Sequence, residues 1–192
     1  IKTKVAARDM PPWHLDKTVG IQKFANDISL SDAQIETILK WVDGGALPGD
    51  AKDMPAPVRW PEGSQWRLSA SQGRVPDLIV KSTPWTQPAE GQDEWWQPEV
   101  ESGLTEDRWI KAVEVRPSEK GRRIVHHGNS ALAEFAVGKI GDPYRENTGK
   151  LMKAGSKIRF NLHYHPSGKE TTDRARVGLK FYPKGYKPKY HQ

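Results

Sequence analysis

The chain contains no cysteine. That absence excludes disulfides, zinc fingers, blue-copper thiolate sites and covalent attachment of haem within this polypeptide. Long apolar runs are missing too, and no stretch approaches the ~20 residues that a membrane-spanning helix needs. Charge of one sign is not concentrated: 30 Lys and Arg face 24 Asp and Glu. The positive residues are interspersed with negative ones except near the C-terminus, where Lys180, Lys184, Lys187 and Lys189 run into a Pro/Gly/Tyr-rich tail. A nucleic-acid binder would carry a basic stripe with interleaved aromatics, and none stands out. No nucleophile–base–acid set marks a hydrolase. The chain opens on Ile1 without Met or a signal segment, as a mature, trimmed or partial product would.

What is present fits a loop-rich globular protein. With 192 residues, 35% apolar and 28% charged, and with 15 Pro and 17 Gly, the chain can build one sizeable core and an extension. Residues 1–56 read as helix plus loops. Ser31 precedes Asp32-Ala33-Gln34 at capping-box spacing, Ile35, Ile38, Leu39 and Val42 then share one helical face, and Gly44-Gly45 ends the helix. Pro55, Pro57 and Pro61 open a linker or extended arm over residues 57–75.

Residues 76–192 hold short strand-like runs between Pro, Gly and acidic turns: Asp77–Lys81, Trp109–Arg116, Arg122–His127, Lys157–Tyr164 and Ala175–Tyr182. Alternation such as Ile158-Arg159-Phe160-Asn161-Leu162 lets a strand bury one face. The expected fold is therefore mainly β, an antiparallel, jelly-roll-like β-sandwich with a short N-terminal helical extension. The chain has eight tryptophans. Trp60, Trp66, Trp85, Trp95, Trp96 and Trp109 are expected to plug the core and cover the linker, with a protein-interaction face as the alternative. Trp95-Trp96 read as loop in an acidic context.

The six histidines are unevenly placed. Four of them form two tight groups, His126-His127 and His163-Tyr164-His165, inside expected strands. Neighbours on a strand point to opposite faces, so His126 and His127 can share a ligand only where the strand is twisted, bulged or at a sheet edge. His163 and His165 share a face, and Pro166 is expected to end their strand. Imidazole-only sets suit copper, zinc or nickel, and affinity alone favours Cu(II). Surface or hydrogen-bonded structural histidine is the plain alternative.

Over about Pro76 to Pro188 the chain resembles the N-terminal domain of the type II, ascorbate-dependent copper monooxygenases. This is the family of peptidylglycine α-hydroxylating and dopamine β-monooxygenases. The similarity rests on Asp77-Leu78-Ile79-Val80, Thr105-Glu106-Asp107-Arg108-Trp109-Ile110, Ile124-Val125-His126-His127 and Ile158-Arg159-Phe160-Asn161-Leu162-His163-Tyr164. The resemblance implies one electron-supplying copper on His126, His127 and His163, with His165 as a neighbour or alternative ligand. It also implies work in the periplasm or outside the cell. The family's second sandwich, which supplies the oxygen-activating copper, has no counterpart after Gln192, and the loop between His127 and Phe135 is shorter than in relatives.

The first segment resembles the C-terminal part of a bacterial c-type cytochrome domain. Arg8-Asp9-Met10-Pro11-Pro12-Trp13-His14 looks like the axial-methionine loop, and Leu30–Ile35 through Trp41–Ala46 like the closing helix. That likeness would carry Met10 over as a haem axial ligand. The Cys-x-x-Cys-His attachment is absent, so haem c is not expected in this chain. Asn161 and Tyr164 are near enough in sequence to be considered as partners that orient the ligand rings. Two readings compete with a copper electron-transfer domain. One is a non-catalytic docking subunit of a larger, membrane-associated or redox assembly, with a protein partner; the other is metal storage without redox work.

Overall fold

The computed structural model describes residues 1–12, 15–20, 27–58, 65–68, 75–137, 139 and 141–192. Trp13 and His14 of the methionine-loop motif, Trp60 and most of the Pro-rich arm lie outside the described residues. The chain divides into two compact units, Ile1–Val58 and Arg59–Gln192.

In the first unit α1 (Lys2–Ala6) packs beside α2 (Asp32–Asp43). The capping box forms as its spacing predicts: the Gln34 amide donates to Ser31 Oγ, and the Ser31 amide donates to Gln34 Oε1 at 2.9 Å. Two of the otherwise orphaned donors at the helix start are satisfied in this way. Ile35, Ile38, Leu39 and Val42 are half-buried.

The second unit is a β-sandwich. Its strands are β1 (Leu78–Lys81), β2 (Trp85–Gln87), β3 (Glu94–Trp96), β4 (Glu99–Glu101), β5 (Arg108–Arg116), β6 (Val125–Ser130), β7 (Glu134–Phe135), β8 (Asp142–Pro143), β9 (Thr148–Met152), β10 (Lys157–Tyr164), β11 (Thr171–Asp173), β12 (Arg176–Phe181) and β13 (Tyr190–His191). One sheet runs β1-β12-β5-β9-β13, with β8 also on β5; the other runs β3-β10-β6-β7, with β4 also on β10. Pairing is antiparallel except where β13 meets β9. A small ribbon joins β11 to β2.

The pleat of β10 decides much of the core. Ile158, Phe160, Leu162 and Tyr164 are each at most 2% exposed, while Arg159, Asn161 and His163 take the opposite face. Burying each of the four is worth roughly 1.5–3 kcal/mol. They meet Val113 and Val115 of β5 and Val177, Leu179 and Phe181 of β12 in one continuous cluster. A register shift opposite Lys180/Phe181 leaves Lys111 as an extra residue in β5, so Ile110 joins that cluster despite its odd spacing from Val113.

The outer face of the first sheet is closed. Gly178 of β12 lies under the Trp66 ring, where an added Cβ would sit 2.8 Å from it, and the Arg116 and Arg176 guanidinium groups flank the same indole at 5.7 and 5.6 Å. The buried Glu114 carboxylate accepts from the Arg67 and Leu68 amides, each at 3.0 Å. Burial pushes the Glu114 carboxyl up, against those two hydrogen bonds and the Arg116 charge.

Two local expectations change. Residues Lys120–Arg123 form a 3-10 turn and the strand begins at Val125, because Gly121 packs against Asp173 so closely that an added Cβ would lie 2.0 Å from its Oδ1. Trp95-Trp96 are not loop but the centre and end of β3, paired with His163 and Leu162. The short stretch after His127 is the β6–β7 hairpin, in which Ser130 Oγ accepts from the Leu132 and Ala133 amides.

Candidate metal centre

The histidines come together through a defect in the ladder. Along β10 and β6, Leu162 pairs with Gly128 and His163 with His127, but Tyr164 then pairs with Val125. His126 is the extra residue of a β-bulge, so two successive side chains leave the sheet on one side. The burial sequence agrees: Val125 and Gly128 point into the core, and His126 and His127 both point out. This is the local condition under which adjacent histidines can act on one ligand. At Gly128 a side chain would meet Leu162 Cδ2 at 2.7 Å, so glycine lets β6 lie flat on the core just beyond the bulge.

The three rings converge through the same atom. His163 Nδ1 lies 3.3 Å from His126 Nδ1 and 3.4 Å from His127 Nδ1. The three residues form a group whose ligand atoms all fall within 4.8 Å of one another. Imidazole nitrogens sit ~2.0–2.1 Å from a bound Zn-sized ion, which puts tetrahedral neighbours about 3.3 Å apart. The two short separations match that spacing. This group of three histidines can therefore hold a metal ion.

Electrostatics favour the ligand form. Burial, then the neighbouring His163 and His126, lower the pKa of His127 below the ordinary imidazole value, so its neutral state is favoured. His163 Nε2 donates to Asp93 Oδ2 at 2.8 Å, which leaves Nδ1 as the bare nitrogen facing the other two rings. The Trp95 indole lies face to face on the His163 ring, with centroids 4.4 Å apart and planes within 1°, and meets His127 edge-on at 5.3 Å.

The remaining sequence candidates fall elsewhere. His165 is not in the converging group; its Nδ1 donates to Asp93 Oδ1 at 2.5 Å, and its amide donates to the Ile124 carbonyl at 2.7 Å. Tyr164 points into the core and donates to Asp173 Oδ2 at 2.9 Å, so it cannot orient the rings. Asn161 shares the outer face but accepts from Gln97 Nε2 at 3.2 Å. Met10 is half exposed in the first unit, and no thiol exists to attach a haem. Trp85 and Trp96 stack at 4.9 Å on the core side, as expected of core-filling tryptophans; Trp95 is the exception, 49% exposed on the histidine face.

Asp93 and Trp95 are the site residues that sequence reading missed. Period-two alternation in Glu94-Trp95-Trp96 was the available signal for Trp95, since it sends one tryptophan in and the next out. Nothing local to Asp93 announces its role, because its partners are 70 residues or more away along the chain.

Comparison with protein-family models, with curated proteins and with solved structures finds no match.

Proposed function

We propose that the sandwich is a one-copper, electron-transfer domain of the kind found in the N-terminal half of ascorbate-dependent copper monooxygenases, with His126, His127 and His163 holding the ion. The observation that carries this reading is the bulge at His126, which turns an adjacent pair into two donors aimed at His163. A structural role for the histidines would not by itself call for a bulge that turns both members of the adjacent pair toward His163.

Copper is chosen over zinc or nickel because an all-imidazole, thiolate-free donor set leaves Cu(II) as the tightest divalent binder. Copper there would supply a one-electron Cu(II)/Cu(I) couple. The chain's own contribution is to present three imidazoles from two hydrogen-bonded strands and to cover one flank of His163 with the Trp95 ring. Among the described residues this is the one group of metal-capable side chains that converges, which supports a single ion at this site. Work in the periplasm or outside the cell follows from the resemblance.

The test is metal content with electron paramagnetic resonance, before and after ascorbate. The reading expects close to one Cu(II) per chain, nitrogen couplings from imidazole, and loss of the signal on reduction. A bound ion that ascorbate cannot reduce would indicate storage. A protein that stays metal-free when copper is offered would overturn the reading. It would also promote a docking subunit of a larger assembly, for which the exposed Trp95 and Tyr190 and the basic tail speak.

A further inference from the structure

We propose that Asp93 is the positioning residue of the metal centre, fixing the His163 ring with Nε2–H turned away from the metal side, and that His165 holds Asp93 in place. The inference deepens the metal-binding reading and rests on it for its effect on affinity.

The geometry is a three-link chain running away from the centre. His165 Nδ1 donates to one oxygen of Asp93 at 2.5 Å, and His163 Nε2 donates to the other at 2.8 Å. Each oxygen of the carboxylate thus has its own imidazole partner, and rotation of either ring or of the carboxylate breaks a bond. His163 alone could offer a metal either nitrogen by flipping its ring. With Nε2 committed to Asp93, only Nδ1 remains, and Nδ1 is the atom that faces His126 and His127. A carboxylate on the far nitrogen also raises the basicity of the ligating one.

The fold supplies this chain cheaply. His163 and His165 are two apart at the end of β10, so both project to the outer face, and His165 is pinned by its amide on the Ile124 carbonyl. Asp93 directly precedes β3, whose Trp95 pairs with His163 across the sheet. The stacked Trp95 ring blocks the tilting motion that the hydrogen bond leaves free. Asp93 itself is exposed, so its replacement leaves no buried gap and the variants should fold.

The test compares wild type with Asp93→Ala, Asp93→Asn and His165→Ala by two readouts. Thermal unfolding is the control for folding. In the metal-free protein, the ring-nitrogen NMR shifts of His163 should report one tautomer, protonated at Nε2, and should move toward a mixture in Asp93→Ala. For Cu(II), measured by competition with a chromophoric chelator, Asp93→Ala should lose about 10–100-fold in affinity. Asp93→Asn, which keeps an acceptor oxygen, should recover part of that loss, and His165→Ala should lose less than Asp93→Ala. Unchanged His163 shifts in Asp93→Ala, or a copper affinity equal to that of the wild type, would overturn the proposal. If the wild type binds no copper, the metal reading falls separately, and the His163 shifts still decide whether Asp93 fixes the ring.

Discussion

The two outer faces of the sandwich solve the same problem in opposite ways. On both, strand alternation sends polar side chains away from the core. Over β5 and β12 these are Glu114, Arg116 and Arg176, and the chain lays Trp66 and Leu68 across them, so that Glu114 and Arg116 end up buried. Over β10 and β6 they are His163, His126 and His127, and among the described residues of this unit His126 is exposed and the Trp95 ring lies on His163. A carboxylate organises each face by accepting two hydrogen bonds. Glu114 accepts from two backbone amides and is pushed up by burial. Asp93 accepts from two imidazoles and is held below the usual carboxylate range, chiefly by His165. The closed face spends its polar groups on holding chain to chain. The open one keeps three of them facing a common point.

If that contrast is right, substitutions on the closed face should change stability and those on the open face should change metal binding. The largest stability effect should come from Glu114→Ala, which strands the two amides that Glu114 accepts from; unfolding in urea should show a loss of about 2–4 kcal/mol. Copper binding should be unaffected. The largest binding effect should come from His126→Ala, which removes the bulged ligand. Its copper affinity should fall by more than the roughly 10–100-fold carried by outer partners. Because His126 is exposed, stability of the metal-free protein should stay within about 0.5 kcal/mol of wild type. A His126→Ala protein that still bound copper normally would break the comparison at its centre.

Gly178→Val should cost about 1–3 kcal/mol by forcing Trp66 and Pro76 off β12, again with no change in copper affinity. Trp95→Leu should do the reverse. Loss of the indole stacked on His163, worth ~0.5–1 kcal/mol, should weaken copper about two- to fivefold. A pH titration of stability sharpens the closed side. The raised Glu114 pKa means that the folded state keeps a proton which the unfolded state releases. Its contribution is complete below the unfolded value of 4.5 and is lost as pH rises through the folded one. Glu114→Gln should flatten that slope, as seen in unfolding midpoints measured from pH 4 upward.

Much of the fold was legible because it depends on short-range periodicity. β10 appears in the structure over Lys157–Tyr164 as its alternation predicts, and the capping box of α2 forms at its predicted spacing. β9 was missed: Thr148–Met152 contains Gly149, and that glycine is needed because Pro188 and the Ile110 carbonyl approach within 2.9 and 3.1 Å of where its Cβ would be. A strand weakened by glycine carries little signal of its own. Within the site, the histidine pair and His163 were visible as residue types, and the need for a twist, a bulge or a sheet edge followed from the pleat; the structure shows that it is a bulge.

The sequence by itself determined the donor set, imidazole without thiolate, and the alternating strands that bury one face and expose the other. Those are properties of residue type and of the two-residue repeat of an extended chain. The tertiary structure decided which residue would be extra in the ladder, that Asp93 would meet both His163 and His165, and that Trp66 would cover one sheet while Trp95 stands open on the other. Each of these depends on pairing between segments far apart in the chain: the two-residue pattern says which side chains face the core, and which distant residue lies opposite each one is decided only when the strands meet.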